Sequence, residues 1–127
     1  MTRVLIVDQD RLSRVALLRI LDTLGCEAAA CTSAKEAYAV LRENPECWQL
    51  VITEIAMAPM DGVALLRAMR EELQIPIPVI AVTVYARSFF DQEDLDDFSE
   101  WLIKPVSQSL LQGALRRVGI NTPGSKR

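Results

Sequence analysis

The chain has 127 residues, half of them hydrophobic, enough for one ordinary globular domain with a real core. Its net charge of -3 argues against non-specific nucleic-acid binding by this chain alone. The absence of histidine excludes a histidine base. With no C-x-x-C pair among them, Cys26, Cys31 and Cys47 argue against a zinc site and read as small thiols in a reducing cytosol.

Apolar runs and helical patterns alternate five times along the chain. Val4 to Val7 is a continuous, β-branched run that reads as a buried strand. Leu17, Ile20, Leu21 and Leu24 then recur at helical spacing, and Gly25 ends that helix. Glu27 to Cys31 is a weaker second strand. Ser33-Ala34-Lys35-Glu36 has the form of a capping box and opens a helix through Arg42, stopped by Asn44-Pro45.

Leu50 to Thr53 is the third strand, and Asp61-Gly62 leads into a helix to about Leu73 with Leu65, Leu66 and Met69 inward. Val79 to Val82 is the fourth strand. A fourth helix is expected near Ser88 to Phe98, then a short strand from Trp101 to Ile103. The last helix places Leu111, Ala114, Leu115 and Val118 on one face. Five strand-helix units imply right-handed crossovers and one α/β domain, a parallel sheet with both faces covered; the fold expected is flavodoxin-like, with five strands in the order 2-1-3-4-5 and five helices. The domain is assigned to residues 1–120, and 121–127 to a tail or the start of a linker. No apolar run approaches the roughly 20 residues of a membrane span, and the N-terminal apolar run is too short for a signal peptide, so a cytoplasmic protein is expected.

In a parallel α/β sheet the carboxyl ends of the strands converge on one rim, where ligands bind. Asp8, Glu54, Thr83 and Lys104 stand at four such ends. Taken singly, Asp8 could cap a helix, Thr83 could be a turn residue and Lys104 could be solvated. Two acids, a hydroxyl and an ammonium on one rim together suit a divalent cation and an anion. No glycine-rich phosphate loop follows the first strand, where Asp8-Gln9-Asp10-Arg11 stands instead.

The pieces Val4-Leu5-Ile6-Val7-Asp8, Met57 with Met60-Asp61-Gly62, Val79-Ile80-Ala81-Val82-Thr83 and Lys104-Pro105 come in an order and spacing that resembles the CheY-like receiver domains of response regulators. The resemblance covers residues 3 to 118. It implies a module of two-component signalling that takes phosphate from a histidine kinase and passes the change to a partner surface. It also implies magnesium held by two adjacent acids beside an acceptor aspartate, with Thr83 and Lys104 contacting the phosphoryl group. Pro105 becomes the candidate cis-proline, and Trp101 the aromatic that rotates between states.

The departures from the family pattern carry as much weight. The acid pair aligns with Asp8-Gln9, so one metal-binding carboxylate is a neutral amide, and Asp10 reads as a helix cap. The acceptor position is Glu54, one methylene too long, and magnesium tolerates little displacement of a ligand. Misplacement by about 1 Å can cost on the order of a hundredfold in rate. Ala58 stands where the family usually has proline, and Pro59 follows it. Phosphotransfer is therefore expected to be negligible and magnesium binding, through Asp8, lost or weak; no other cofactor is expected. Glu54 reads either as a partial phosphate mimic or, preferred here, as one half of a metal-free pair with Lys104 that freezes the switch.

The partner surface implied by the resemblance is the fourth helix, fifth strand and last helix. Here it carries Phe89, Phe90, Asp91, Glu93, Asp94, Asp96 and Asp97, with Glu100 beyond and no basic residue between Ser88 and Ile103. Like charges at helical spacing weaken a helix, so irregular structure is expected in this segment. The acids read either as a solvated face or as a docking site for a basic partner. A protein partner is expected, a histidine kinase or effector domain, with self-association through this face as another use. The function expected is a non-enzymatic signalling module independent of phosphorylation. The alternatives are a receiver that still accepts phosphate weakly and a flavodoxin-like small-ligand-binding protein reusing the same rim.

Overall fold

In a computed structural model, residues 2–122 are described, apart from the side chains of Gln92 and Asp94. Nine regular elements follow one another: β1 (Arg3–Val7), α1 (Arg11–Thr23), β2 (Glu27–Cys31), α2 (Ala34–Glu43), β3 (Leu50–Thr53), α3 (Gly62–Glu71), β4 (Val79–Thr83), β5 (Glu100–Ile103) and α4 (Gln108–Arg117). The strands are all parallel, in the order β2-β1-β3-β4-β5. The proposed tail passes outside the described residues from Pro123 onward.

Period-two alternation sorts the strand side chains into two cores, one on each face of the sheet. Val4, Ile6, Leu50, Ile52, Ile80, Val82 and Leu102 pack with Leu17 and Leu21 of α1 and with Leu111, Ala114 and Leu115 of α4. Leu5, Val7, Val51, Val79 and Ala81 pack on the other face with Ala37 and Leu41 of α2 and with Leu65, Leu66 and Met69 of α3. Three strands therefore read as unbroken apolar runs because both faces are covered.

Helix starts follow their caps. Asp10, Ser33, Asp61 and Ser107 each accept a backbone N–H from the first turn of the following helix. The box at Ser33 is modified: Glu36 reaches back to the N–H of Thr32 at 2.7 Å, one residue before the cap. Gly25 takes a positive φ of 84°, the left-handed conformation that ends α1.

The expected fifth helix is absent. Between β4 and β5, two short 3-10 turns, Arg87–Phe89 and Gln92–Leu95, replace the helix assigned to Ser88–Phe98, so the described chain has four α-helices. Asp91 with Asp94 and Glu93 with Asp97 would stand at i, i+3 and i, i+4 on a continuous helix, and their repulsion opposes it. Leu95 and Phe98 still reach the core and anchor the segment.

Candidate functional site

Hydrogen bonds one residue past the strand ends draw the rim together. Asp8 N–H donates to the Cys31 carbonyl at 3.1 Å, Glu54 N–H to Val7 at 2.9 Å and Lys104 N–H to Thr83 at 2.9 Å. Asp8, Glu54 and Thr83 are consequently buried, at 2%, 8% and 0% exposure. They sit where the sheet order reverses between β1 and β3, the topological switch point of an open α/β sheet.

The Lys104 ammonium lies between the two carboxylates. Its Nζ is 2.9 Å from Asp8 Oδ2 and 2.8 Å from Glu54 Oε1. The other two oxygens are also taken. Asp8 Oδ1 accepts the Asp10 N–H at 2.8 Å, and Glu54 Oε2 accepts the N–H groups of Ile55 at 2.7 Å and Ala56 at 3.1 Å. Each carboxylate oxygen therefore has a donor supplied by the chain itself.

The titration of the two charged partners follows from this geometry. Burial alone pushes the Glu54 carboxyl up, but hydrogen bonds from Lys104, Thr83, Ala56 and Ile55 outweigh it and hold the group below the usual carboxylate range. Burial likewise opposes the Lys104 charge, and the bonds to Glu54 and Asp8 overcome it and raise the ammonium above its ordinary value. Both groups are charged at neutral pH.

Gln9 does not join the cluster. Its exposed amide donates to the Ala58 carbonyl at 2.6 Å, strapping β1 to the loop after β3. Asp10 caps α1, accepting from Ser13 N–H at 3.1 Å and Ser13 Oγ at 2.9 Å, and these bonds lower its carboxyl pKa. The Ala58–Pro59 and Lys104–Pro105 peptides are both cis.

Three contributors escaped the sequence reading. The Ile55 and Ala56 amides are backbone groups and leave no trace in residue type. Arg14 donates to the Asp8 carbonyl at 2.8 Å, one helical turn into α1, where its charge reads only as solvated. Gly62, read from the sequence only as leading into α3, has a specific use for its lack of a side chain: a Cβ there would collide with the Glu54 carbonyl oxygen and press on Ile55.

Trp101 stands apart from the carboxylates. Its indole N–H donates to the Tyr85 carbonyl at 3.0 Å, and its ring meets Phe90 at 5.6 Å and Phe98 at 5.9 Å between centroids. Around it the acidic run is partly neutralised by arginines of α3, of the segment's own first turn and of α4. Asp97 pairs with Arg70 of α3 at 2.7 Å, Asp96 with Arg87 at 3.4 Å and Glu100 with Arg117 of α4 at 2.9 Å. Asp91 accepts the Glu93 N–H as a turn cap, and the Asp94 side chain lies outside the described residues.

A five-stranded parallel sheet with charged side chains gathered at its switch point defines a CheY-like α/β domain. The chain belongs to the response regulator receiver domain family, whose description matches residues 4–116. It is 37% identical over 109 residues to a 14.6 kDa protein of Leptolyngbya boryana, covering 81% of this chain and 79% of that one. It is also 30% identical to the two-component response regulator ORR21 of Oryza sativa, over 91% of this chain and 17% of the relative. The crystal structure of a CheY-like receiver domain protein from Methanospirillum hungatei superposes with a TM-score of 0.78 at 27% identity, over 93% and 94% of the two chains. The chain spans less than a fifth of the length of the first curated relatives it matches. Among the described residues, no helix is long and apolar enough to cross a membrane.

Proposed function

We infer that this receiver is a cytoplasmic signalling module that acts through protein contacts, without a working phosphorylation cycle and without catalytic activity of its own. The observation that carries this reading is the saturation of the two rim carboxylates by Lys104 and by backbone N–H groups. A receiver's magnesium needs free carboxylate oxygens in near-octahedral array at about 2.0–2.1 Å. Here an ammonium stands between the acids, and the second acid is an amide committed to Ala58. The residues present do not suit the ion, and among the described residues no group of three or more acids, histidines or cysteines gathers to hold one. Glu54 also lacks a free oxygen aimed outward for attack on phosphorus. Its partners are then a histidine kinase or an effector domain, met by surface recognition.

A second reading is favoured by one contact: the Lys104 ammonium lies 2.8 Å from the Glu54 carboxylate, with the buried Thr83 ending the neighbouring strand. The resemblance gives those two side chains to a phosphoryl group, so Glu54 stands in for it in part. A phosphoryl group carries about -1.5 to -2 with three acceptor oxygens. One carboxylate supplies a single charge and two oxygens, and mimicry is correspondingly incomplete.

Intact mass after incubation with magnesium and acetyl phosphate tests the first reading, beside a Gln9→Asp/Glu54→Asp variant. The wild type is expected to stay unmodified while the variant gains a phosphate. A phosphate adduct on the wild type overturns the reading.

A further inference from the structure

Leu17 and Leu21 seat α1 on the sheet, but Leu12 and Ala16, one turn apart on the same helix, stay outside the core. Leu12 is 78% exposed, and Val84, just past β4, is 60% exposed. Between them opens a cavity of about 380 Å³, inside the roughly 300–1,000 Å³ range of small-molecule sites. The buried Leu17 and Val82 line its inner part, and Leu12, Ala16, Val84 and Val106 its outer part. Water in such a space finds few polar partners, and a ligand that displaces it covers exposed carbon.

The polar groups of the lining give the sign of its occupant. They are Asp10 and Ser13 at the start of α1 and Lys104 just past β5. The Lys104 charge is already matched by Asp8 at 2.9 Å and Glu54 at 2.8 Å. Asp10 is exposed and carries no ion pair among the described residues, and the bonds from Ser13 hold it ionised at neutral pH. Arg11 and Arg14, the basic residues of the first turn of α1, are not part of the lining, and Arg14 donates to the Asp8 carbonyl at 2.8 Å. Apolar walls therefore end at one uncompensated carboxylate. A carboxylate ligand is repelled there and a neutral one leaves the charge unpaired, whereas an ammonium on an apolar body satisfies both parts.

We propose that the cavity between α1, Val84 and Val106 binds a small organic cation, a primary amine on an apolar body, with Asp10 receiving the charge. This goes beyond the reading of a module working by protein contact, and it needs neither phosphate nor magnesium. A phosphate adduct on the wild type would unseat that reading and leave the cavity to its own measurement. An apolar patch covered by a protein, in contrast, is indifferent to the head group of a small probe.

The probes are phenethylamine, phenethyl alcohol and phenylacetate, which share one apolar ring and differ in charge. They are titrated into the full chain without magnesium or phosphodonor and followed by backbone amide chemical shifts. The amine is expected to give saturable shifts at Leu12, Ala16, Val84 and Val106, with phenylacetate binding about tenfold more weakly, as attraction gives way to repulsion at an exposed carboxylate. Asp10→Asn keeps the helix cap and should narrow that preference to about threefold or less. Ala16→Phe fills the cavity from an exposed helical position and should abolish binding of all three. Urea titration verifies that each variant is folded, and Asp10→Asn decides alone if Ala16→Phe is not. Equal affinity for the three probes, no saturable binding of the amine, shifts centred elsewhere, a full preference kept in Asp10→Asn, or unchanged affinity in folded Ala16→Phe overturns the proposal. Concentration-dependent dimerisation abolished by Ala16→Phe also overturns it, by assigning the cavity to a second copy.

Discussion

Lys104→Met removes the charge that holds the rim together while keeping the length and apolar stem of the side chain. The ammonium sits 2.9 Å from Asp8 and 2.8 Å from Glu54. At an effective dielectric of about 20, each such attraction is worth about 6 kcal/mol before the cost of desolvating the charges is subtracted. Removing one partner of a buried pair typically costs about 3–5 kcal/mol, because the remaining charge is stranded. Here two carboxylates are stranded beside each other. With a urea slope of about 1.5 kcal/mol/M, the unfolding midpoint should fall by roughly 2–3 M. Adding Glu54→Gln to Lys104→Met should recover at least about 1 kcal/mol, since one of the opposed charges is gone. A loss below about 1 kcal/mol, the range of exposed ion pairs, would refute the claim that Lys104 is the internal cation of this site.

The pH profile should carry the same signature. Glu54 is held below its ordinary value of 4.5, so its contribution is present above that value and is lost as pH falls through the lower folded one. Lys104 is held above 10.5, so its contribution is present below that value and is lost as pH rises through the higher folded one. In Lys104→Met the alkaline arm due to this residue should vanish in urea titrations across pH. Gly62→Ala should destabilise by about 2 kcal/mol despite alanine's better helix propensity, because the new Cβ meets the Glu54 carbonyl; an unchanged or raised melting temperature would show that the loop yields. Ser33→Ala should cost about 1 kcal/mol through loss of the bond from Glu36 N–H, measured by thermal unfolding.

The fold was legible where local signals agreed. Each strand lay in a short apolar run, and the helix ends sat at Ser33, Gly25 and Asp61, residues whose backbone chemistry suits them. The order 2-1-3-4-5 is the one expected of the flavodoxin-like pattern, and the parallel sheet places Asp8, Glu54, Thr83 and Lys104 at strand ends on one rim. The missing helix was only half legible. Crowded acids argued for irregularity, but the arginines that pair with them come from α3, from the turn itself and from α4. Pairing across that distance in sequence has no local signal. Among the described residues, Asp91 and Glu93 carry no ion pair.

These two departures from an ordinary receiver belong to one physical argument. A phosphorylated switch works by a differential free energy between two states, supplied at the rim and spent at the distant face. With Lys104 already bridging Asp8 and Glu54, the rim holds its cation and anion within the chain, and no ligand is needed to complete it. Under the proposed function, a rim closed in this way offers a phosphoryl group no second state to favour. The segment between β4 and β5 is short turns anchored in the core through Leu95 and Phe98. A fixed face can be optimised for one partner rather than for two conformations. On the proposed function, affinity for a protein partner should be the same with and without magnesium or a phosphodonor. Partner binding strengthened severalfold by either addition would mean that the rim still communicates with the face, and that Glu54 has not closed it.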